Sequence, residues 1–483
     1  MVSSIKEGMI GKRLATLLAA ALLPCAALAA AESMLITPDQ AVDMALRNNL
    51  GLESARVGAS TARRASDLAW NQFIPSVDIA GTLRRGNNAL SIPGQMMVDT
   101  TTGMVVPVPI PPGTLRDMHW MMIGTLSANL SFNISMLEDM NRLRLEYEMG
   151  MISYGKARAQ LERDVRKAYH NILLLQENIA LLRGSLENAD RQVAMAQANF
   201  NAGLAPELTL LQAQVARENM RPIIDQAEGG LRLLLMQFSM FLGLPAETEF
   251  ELAPVTTDMA AISLDTAELI RRAADGQPDV RELRQSILIM NSLRRSGRQM
   301  LFTPMLSLGW NADPTFVGNP FADNSWFDGI GSGDNWNQNS GGLTFTLGFR
   351  LNGLLPFGAE RQGLAALDDG IRIANIGLAQ MIRGTEIEIN NIVLTLDRIR
   401  ITMDALGQTV TLAERSFELT MQAYAAGLVD LFQVQNAEQS LRQARVQLHE
   451  QQFDYLNGLL DLEYALGVPF GSLTAAGAPA GSI

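Results

Sequence analysis

Apolar residues recur along this chain with two periods that alternate in blocks. From Val165 onward, Ala168, Ile172, Leu175, Ile179, Leu182, Leu186, Ala189, Val193, Ala196 and Phe200 keep an unbroken three-and-four spacing, the seam of a coiled coil. The spacing returns 224 positions later as Ile389, Ile392, Leu396, Ile399, Met403, Leu406, Val410, Ala413, Phe417, Thr420 and Tyr424. The pattern predicts a first long helix from near Leu137 to Phe200, about 100 Å in length. Such a helix is too long for a compact globule and suits the crossing of a compartment. Gly203 and Gly427 stand where the long helices should stop, with returning helices expected from near Pro206 and Asp430. Pro222 falls inside the first returning helix as a candidate bend, and Val446 takes its place in the second.

Between the helical blocks the period drops to two. Leu126, Ala128, Leu130, Phe132 and Ile134 interleave with Thr125, Ser127, Asn129, Ser131 and Asn133. Leu343, Phe345, Leu347, Phe349 and Leu351 interleave with Thr344, Thr346, Gly348, Arg350 and Asn352. Leu306, Leu308, Trp310 and Ala312 form a third alternation, and Val77 through Leu83 the weakest. Strands of this kind fit a barrel in lipid around a wet lumen, and equally a soluble sheet with one buried face. Two strand pairs cannot close a barrel, and open edges are not tolerated in hydrocarbon. If the strands lie in a membrane, several chains must complete one barrel together. Gly86–Asp117 and Pro314–Ser340, the latter with Trp326 and Trp336, read as long loops at the barrel mouth.

Both halves follow one order: short helices, a strand pair, then a very long helical hairpin. Thr37-Pro38-Asp39-Gln40 supplies a capping box with proline at the first helical position. Ala41, Ala45 and Leu46 give that helix its apolar side, Asn48-Asn49 break it, and a second helix is expected to reach about Phe73. The second half repeats the pair as Ile262–Ala274 and Asp279–Leu301, and Phe73-Ile74-Pro75 and Phe302-Thr303-Pro304 mark matched exits into strands. A duplicated unit is therefore expected, with a first repeat over 32–254, a second over 255–470, and a flexible tail over 471–483.

The N-terminus changes the picture of the compartment. Lys6, Lys12 and Arg13 precede an apolar run from Leu14 to Leu28 and the small residues Ala29-Ala30-Ala31, which is the pattern of a secretory signal peptide over 1–31. The only cysteine, Cys25, lies within it and follows Pro24, which argues against lipidation, so the mature chain would be built without disulfides. Losing this segment, net +2, takes the formal charge from -12 to -14. An acidic exported chain is a poor partner for nucleic acid, and a duct built from it would prefer cations weakly. With 47% hydrophobic and 18% charged residues the chain is not generally disordered, yet no stretch after the signal peptide has the unbroken apolar length of a membrane helix.

At this point the chain resembles the TolC-like outer-membrane efflux proteins, the exit ducts of tripartite export systems in Gram-negative bacteria. The resemblance rests on Ile36-Thr37-Pro38-Asp39-Gln40-Ala41 with Ala45-Leu46-Arg47-Asn48-Asn49, on the Phe-x-Pro strand entries, on Leu355-Pro356-Phe357-Gly358, and on the two Gly-Leu tips. It runs from about Ile36 to Pro469. No single motif is specific; the order of the parts, given twice, is. It implies coiled-coil hairpins joined to a membrane β-barrel, with a homotrimer whose four strands per chain complete a 12-stranded barrel in outer-membrane lipid. It also implies a periplasmic helical tunnel, a periplasmic adaptor (membrane fusion protein) at the tips, and an inner-membrane transporter that supplies energy. Adaptor docking is expected on Gly203, Leu204, Gly427 and Leu428, where glycine allows close approach and leucine gives an apolar knob. The family's usual gate carboxylates, six and nine residues after the second tip glycine, are replaced here by Gln433 and Asn436. The gate is therefore expected to use amide hydrogen bonds among Gln433, Asn436 and Tyr424, with charge from Asp430. Thr209 and Gln212 are their first-copy counterparts.

Catalytic chemistry is not in evidence in the sequence. His119, His170 and His449 are far apart, there is no cysteine pair, and no HExxH, Walker or GxSxG motif occurs. Met96-Met97 and Met118, Met121 and Met122 are close in sequence, but strand and loop packing accounts for them better than a metal site. No enzyme, cofactor or metal is expected. A small-molecule exit duct is the leading expectation. A type I protein secretion duct shares its architecture, whereas a periplasmic coiled-coil scaffold would need the strands to form a soluble sheet.

Overall fold

The computed structural model describes residues 34–87, 96–98, 105–107, 120–248, 250–255, 265–317, 336–337 and 340–473. The signal-peptide segment, His119, Met118, Trp326 and the tail beyond 473 lie outside them. The first repeat comprises β1 (Met34–Ile36), α1 (Pro38–Asn48), α2 (Leu50–Asp67), β2 (Ser76–Arg85), the short β3 (Met96–Val98) and β4 (Val105–Pro107), β5 (Trp120–Phe132), α3 (Ser135–Asn201) and α4 (Glu207–Leu242). After β6 (Phe250–Leu252), which ends the first repeat, come α5 (Thr266–Gly276), α6 (Pro278–Phe302), β7 (Met305–Ala312), the short β8 (Thr315–Val317) and β9 (Trp336–Asn337), β10 (Gly341–Gly348), α7 (Ala359–Ala425) and α8 (Leu431–Leu466). The long helices α3 and α7 have 67 residues each, and the returning helices α4 and α8 have 36 each. Every one of these boundaries is displaced by 224 positions between copies.

Local chemistry explains where the elements begin and end. Thr37 Oγ1 accepts from the Gln40 amide at 3.3 Å while the Thr37 amide donates to Gln40 Oε1 at 2.9 Å, closing the capping box that starts α1. Asp265 caps α5 at the equivalent place through the amides of Ala267 and Glu268. Asn49 ends α1 and starts α2, its side-chain oxygen accepting from Gly51 and Leu52. The helix expected to run on to Phe73 stops at Asp67 and tightens into a 3-10 turn over Ala69–Phe73. Helix α4 passes Pro222 without interruption.

Two compact units cut across the repeats, each drawing on both. One takes Met1–Gly58, Met151–Glu282 and Leu378–Ile483, the other Ala59–Gly150 and Leu283–Gly377.

The second of these holds the sheet. Its main strands run in the order β10–β7–β5–β2, all antiparallel, with β8 on β5 and β9 on β8. The stretches expected as loops thus contain four short strands, β3, β4, β8 and β9. Strand β5 starts at Trp120 rather than near Thr125, and Leu351 opens a 3-10 turn instead of ending a strand. The register aligns apolar residues in rows. Leu343, Trp310, Ala128 and Val77 form one, and Leu347, Leu306 and Phe132 another. Polar residues form the intervening rows, such as Thr346, Ser307 and Ser131. No described residue covers the apolar face: Ile79 and Leu343 are 86% and 71% exposed.

The first unit holds the hairpin arms from Met151 and Leu378 onward and three apolar cores. One gathers Ile36, Val42, Val165, Ile172, Phe238 and Leu242, another Leu269, Ile389, Leu396, Leu459 and Leu462. The third lies behind the hairpin tips. Tyr169 ties the first core to the repeat junction: its hydroxyl lies 2.8 Å from the Ile36 carbonyl and 2.6 Å from that of Ala253, where β1 runs parallel to β6. Burial pushes the Tyr169 phenol up to about 12. The tail expected from residue 471 begins tethered, since buried Glu463 accepts from the amides of Gly471 and Leu473 at 2.9 Å.

Candidate functional site: the paired hairpin tips

Both long helices end in the same turn. Gly203 and Gly427 each have φ of +74°, the left-handed conformation that favours glycine. The Leu204 amide donates to Asn199 and the Gly203 amide to Phe200; the second tip repeats both bonds with Leu428 to Ala423 and Gly427 to Tyr424. This is a Schellman turn, and it meets the carbonyls a helix end otherwise leaves open. A Cβ added to either glycine would meet nothing within 4 Å, so within the chain the glycines answer to backbone conformation and not to close approach. Leu204 and Leu428 are each 79% exposed. They project as apolar knobs instead of tucking into the seam.

The returning helices start differently. Pro206 precedes α4 without a side-chain cap, whereas the Asp430 carboxylate accepts from the Gln433 amide at 3.0 Å and caps α8. Asp430 therefore holds the turn while its carboxylate stays exposed at the tip. Behind the tips Ala196, Leu210, Ala213, Tyr424, Leu431 and Val434 form one core from both copies. Tyr424 is inside it, and its buried hydroxyl has no hydrogen-bond partner among the described residues. Gln433, Asn436 and Gln212 are exposed and Thr209 half-buried, so one chain does not bring the expected gate amides onto Tyr424.

A polar contact that sequence reasoning missed lies deeper. Gln192 Nε2 donates to Glu438 at 2.7 Å, linking α3 of the first hairpin to α8 of the second. Burial raises the Glu438 carboxyl, partly opposed by hydrogen bonds from Asn188 and Gln192 and by the charge of Arg442. Glu438 Oε1 and Gln435 Nε2, like the Tyr424 hydroxyl, are buried without a hydrogen-bond partner among the described residues. The signal was present in sequence as a glutamate and a glutamine where the apolar stripe of each helix widens.

No group of three or more His, Cys, Asp or Glu residues among the described residues is arranged to hold a metal. Nor is any described helix long and apolar enough to cross a membrane, which says nothing of a β-barrel. His170, 2.9 Å from Asn457 and packed on Phe453, is buried in a helix contact.

The family model for outer membrane efflux protein matches residues 41–231. No curated protein matches the chain in sequence. Among solved structures, the CmeC outer membrane channel of Campylobacter jejuni is similar with a TM-score of 0.69 at 17% identity, covering 89% of this chain and 85% of that one. The outer membrane protein VceC of Vibrio cholerae gives 0.67 at 16% identity, with 90% and 96% covered. The open state of the MtrE outer membrane channel of Neisseria gonorrhoeae gives 0.62 at 15%, with 89% of each chain covered. The fold is thus similar to that of these outer-membrane channels, and residues 41–231 match the outer membrane efflux protein family.

Proposed function

We propose that three copies of this chain assemble into one passive exit duct for small molecules, closing a barrel of twelve main strands. The observation that carries this is the sheet: its apolar rows are uncovered, and β2 and β10 each pair on one side only among the described residues. Hydrocarbon accepts the apolar face but not the open edges, and further copies of β2 and β10 are their natural partners. The exposed leucines Leu204 and Leu428, with Gly203 and Gly427, form the docking face for a periplasmic adaptor, and an inner-membrane transporter supplies the energy. Gln433, Asn436, Asp430, Thr209 and Gln212 would then meet neighbouring copies around the tunnel end, with Tyr424 supporting them from behind. The two repeats, 32–254 and 255–470, are the units of this assembly.

Cysteines placed at Leu204 and Leu428 and crosslinked in cells should capture an adaptor, and the purified protein should run as a heat-sensitive oligomer that needs detergent. Extraction without detergent as a monomer would rule out the duct and favour a scaffold. A captured adaptor that belongs to a protein exporter would replace small molecules with polypeptide as the cargo.

A further inference from the structure

Strand β2 begins just after the 3-10 turn that follows α2, and β5 runs from Trp120 toward α3. Their other ends, Arg85 and Trp120, stand opposite each other in the register, at the end of the sheet remote from those helices. Side chains alternate between faces along a strand. Val77, Ile79, Leu83 and Arg85 therefore share the apolar face of β2, and Arg84 lies on the polar one. Val77, Ile79 and Leu83 are all exposed. From Val77 to Arg85 is about 26 Å of strand, or about 20 Å of height at the usual tilt of a barrel. Exposed Ile74 extends the apolar row at its near end. The apolar band of a membrane barrel is about 25 Å tall, so Arg85 falls where acyl chains give way to headgroups.

The arginine is not there for an ion pair. No carboxylate pairs with it among the described residues; its guanidinium carbon lies 5.8 Å from the centre of the Trp120 ring. Indole settles at membrane borders. A guanidinium resting on it is held in place while its N–H fork stays open to a phosphate. The duplication supplies a control. Strand β7, the match of β2 in the second copy, carries Leu306, Leu308, Trp310 and Ala312 on the same face of the sheet. It is followed by Asp313. A strand end in this sheet therefore does not call for an arginine.

We propose that Arg85 and Trp120 form a phosphate site for a phosphorylated glycolipid of the cell-surface leaflet, one site per chain. The inference rests on the barrel reading above. With the helices in the periplasm, the end of β2 at Arg85 is the cell-surface end. Closing the barrel covers the open edge of β2 but leaves its apolar face, and Arg85 with it, toward lipid. The ligand must bring acyl chains for the row from Val77 to Leu83 and a phosphate for the guanidinium. Soluble phosphate lacks the chains, and a neutral lipid lacks the charge.

The test adds diphosphorylated lipid A to the full-length oligomer in neutral detergent and counts the lipids retained in native mass spectrometry. The wild type should retain it, and Arg85→Gln should retain about fivefold less. Arg84→Gln, one residue away on the opposite face, should bind as the wild type does. Lipid A stripped of its phosphates, and phosphatidylglycerol, should both bind the wild type more weakly. Each variant must first run as the wild-type heat-sensitive oligomer. Equal retention by Arg85→Gln and the wild type, or an equal loss in Arg84→Gln, would overturn the site. Retention of phosphatidylglycerol or of the stripped lipid as good as that of lipid A would overturn the glycolipid as its occupant. An oligomer that retains no lipid A would overturn this site and leave the duct standing. A wild-type protein that stays monomeric without detergent would overturn both.

Discussion

The two ends of each hairpin arm use one backbone geometry in opposite surroundings. Gly203 and Gly427 at the tips, and Gly243 and Gly467 where the returning helices end, all have φ between +66° and +74°. At the tips an added Cβ would find open space. At the other ends it would strike backbone: at Gly243 the Asn48 carbonyl oxygen is 2.6 Å away, and at Gly467 the Gly276 carbonyl is closer still. The tip turns are therefore held by their own hydrogen bonds alone, whereas the far turns are wedged against α1 and α5. The tips are kept clear, and the far ends are locked by contact. Local sequence does not reveal which is which, since Gly-Leu stands at both tips and again at Gly243-Leu244.

Substitutions separate the two regimes, and the largest effect belongs to the wedged ends. Gly467→Ala combines left-handed strain with a backbone clash and should cost about 2–5 kcal/mol, read as loss of the folded oligomer in thermal melts. Gly243→Ala should behave alike. Tyr169→Phe, next to the same locked region, removes the one hydroxyl donor shared by the Ile36 and Ala253 carbonyls, of which Ile36 keeps the Ala253 amide, and should cost about 1–3 kcal/mol in the same melts. Gly427→Ala at a tip meets strain only, so about 1–2 kcal/mol is expected; an effect as large as that of Gly467→Ala would erase the distinction.

A smaller effect belongs to the polar contact of His170 with Asn457 between α3 and α8. Burial, with the nearby Arg166 charge, lowers the His170 imidazole from its ordinary value of 6.5. The unfolded chain then binds the proton more readily than the folded one. The stability from neutral His170 is present above pH 6.5 and is lost as pH falls through that value toward the folded one. Replacing both partners by leucine, His170→Leu with Asn457→Leu, should flatten the melting temperature between pH 7.5 and about pH 5.5 relative to wild type. Smallest of all, Leu428→Ser should shift the melt by less than about 0.5 kcal/mol, since the side chain is exposed, while reducing capture of a docked adaptor. A large loss of stability there would mean that the leucine packs at home.

Much of the helical part was legible because coiled-coil seams are periodic and their ends are chemically marked. Val165 to Ala196 and Ile389 to Tyr424 became the buried or half-buried lines of α3 and α7, and Gly203, Gly427, Thr37 and Asp430 stopped or started helices where expected. The alternation from Leu126 and from Leu306 fixed the strand faces, but not the partners of those strands or the extra pairing of β8, which depend on long-range contacts. The candidate gate was less legible. Gln433, Asn436 and Asp430 look alike on a helix start, and only geometry shows Asp430 spent on a cap and Tyr424 turned into a core. Tyr169 and Glu463 escaped because one polar atom on an otherwise apolar face carries no periodic signal; their roles come from carbonyls and amides far away in the chain.

The equal lengths of the paired helices have a consequence for how such a chain can diverge. Because Ala196 and Leu210 of one hairpin share a core with Tyr424 and Val434 of the other, the two tips must lie level. Removing seven residues from each arm of one hairpin would keep its seam in phase but withdraw its tip by about 10 Å, stranding half of that core. Changes in reach therefore have to be inherited in pairs, one in each copy. The duplication works as a caliper, and a lineage that lengthens one jaw must lengthen the other.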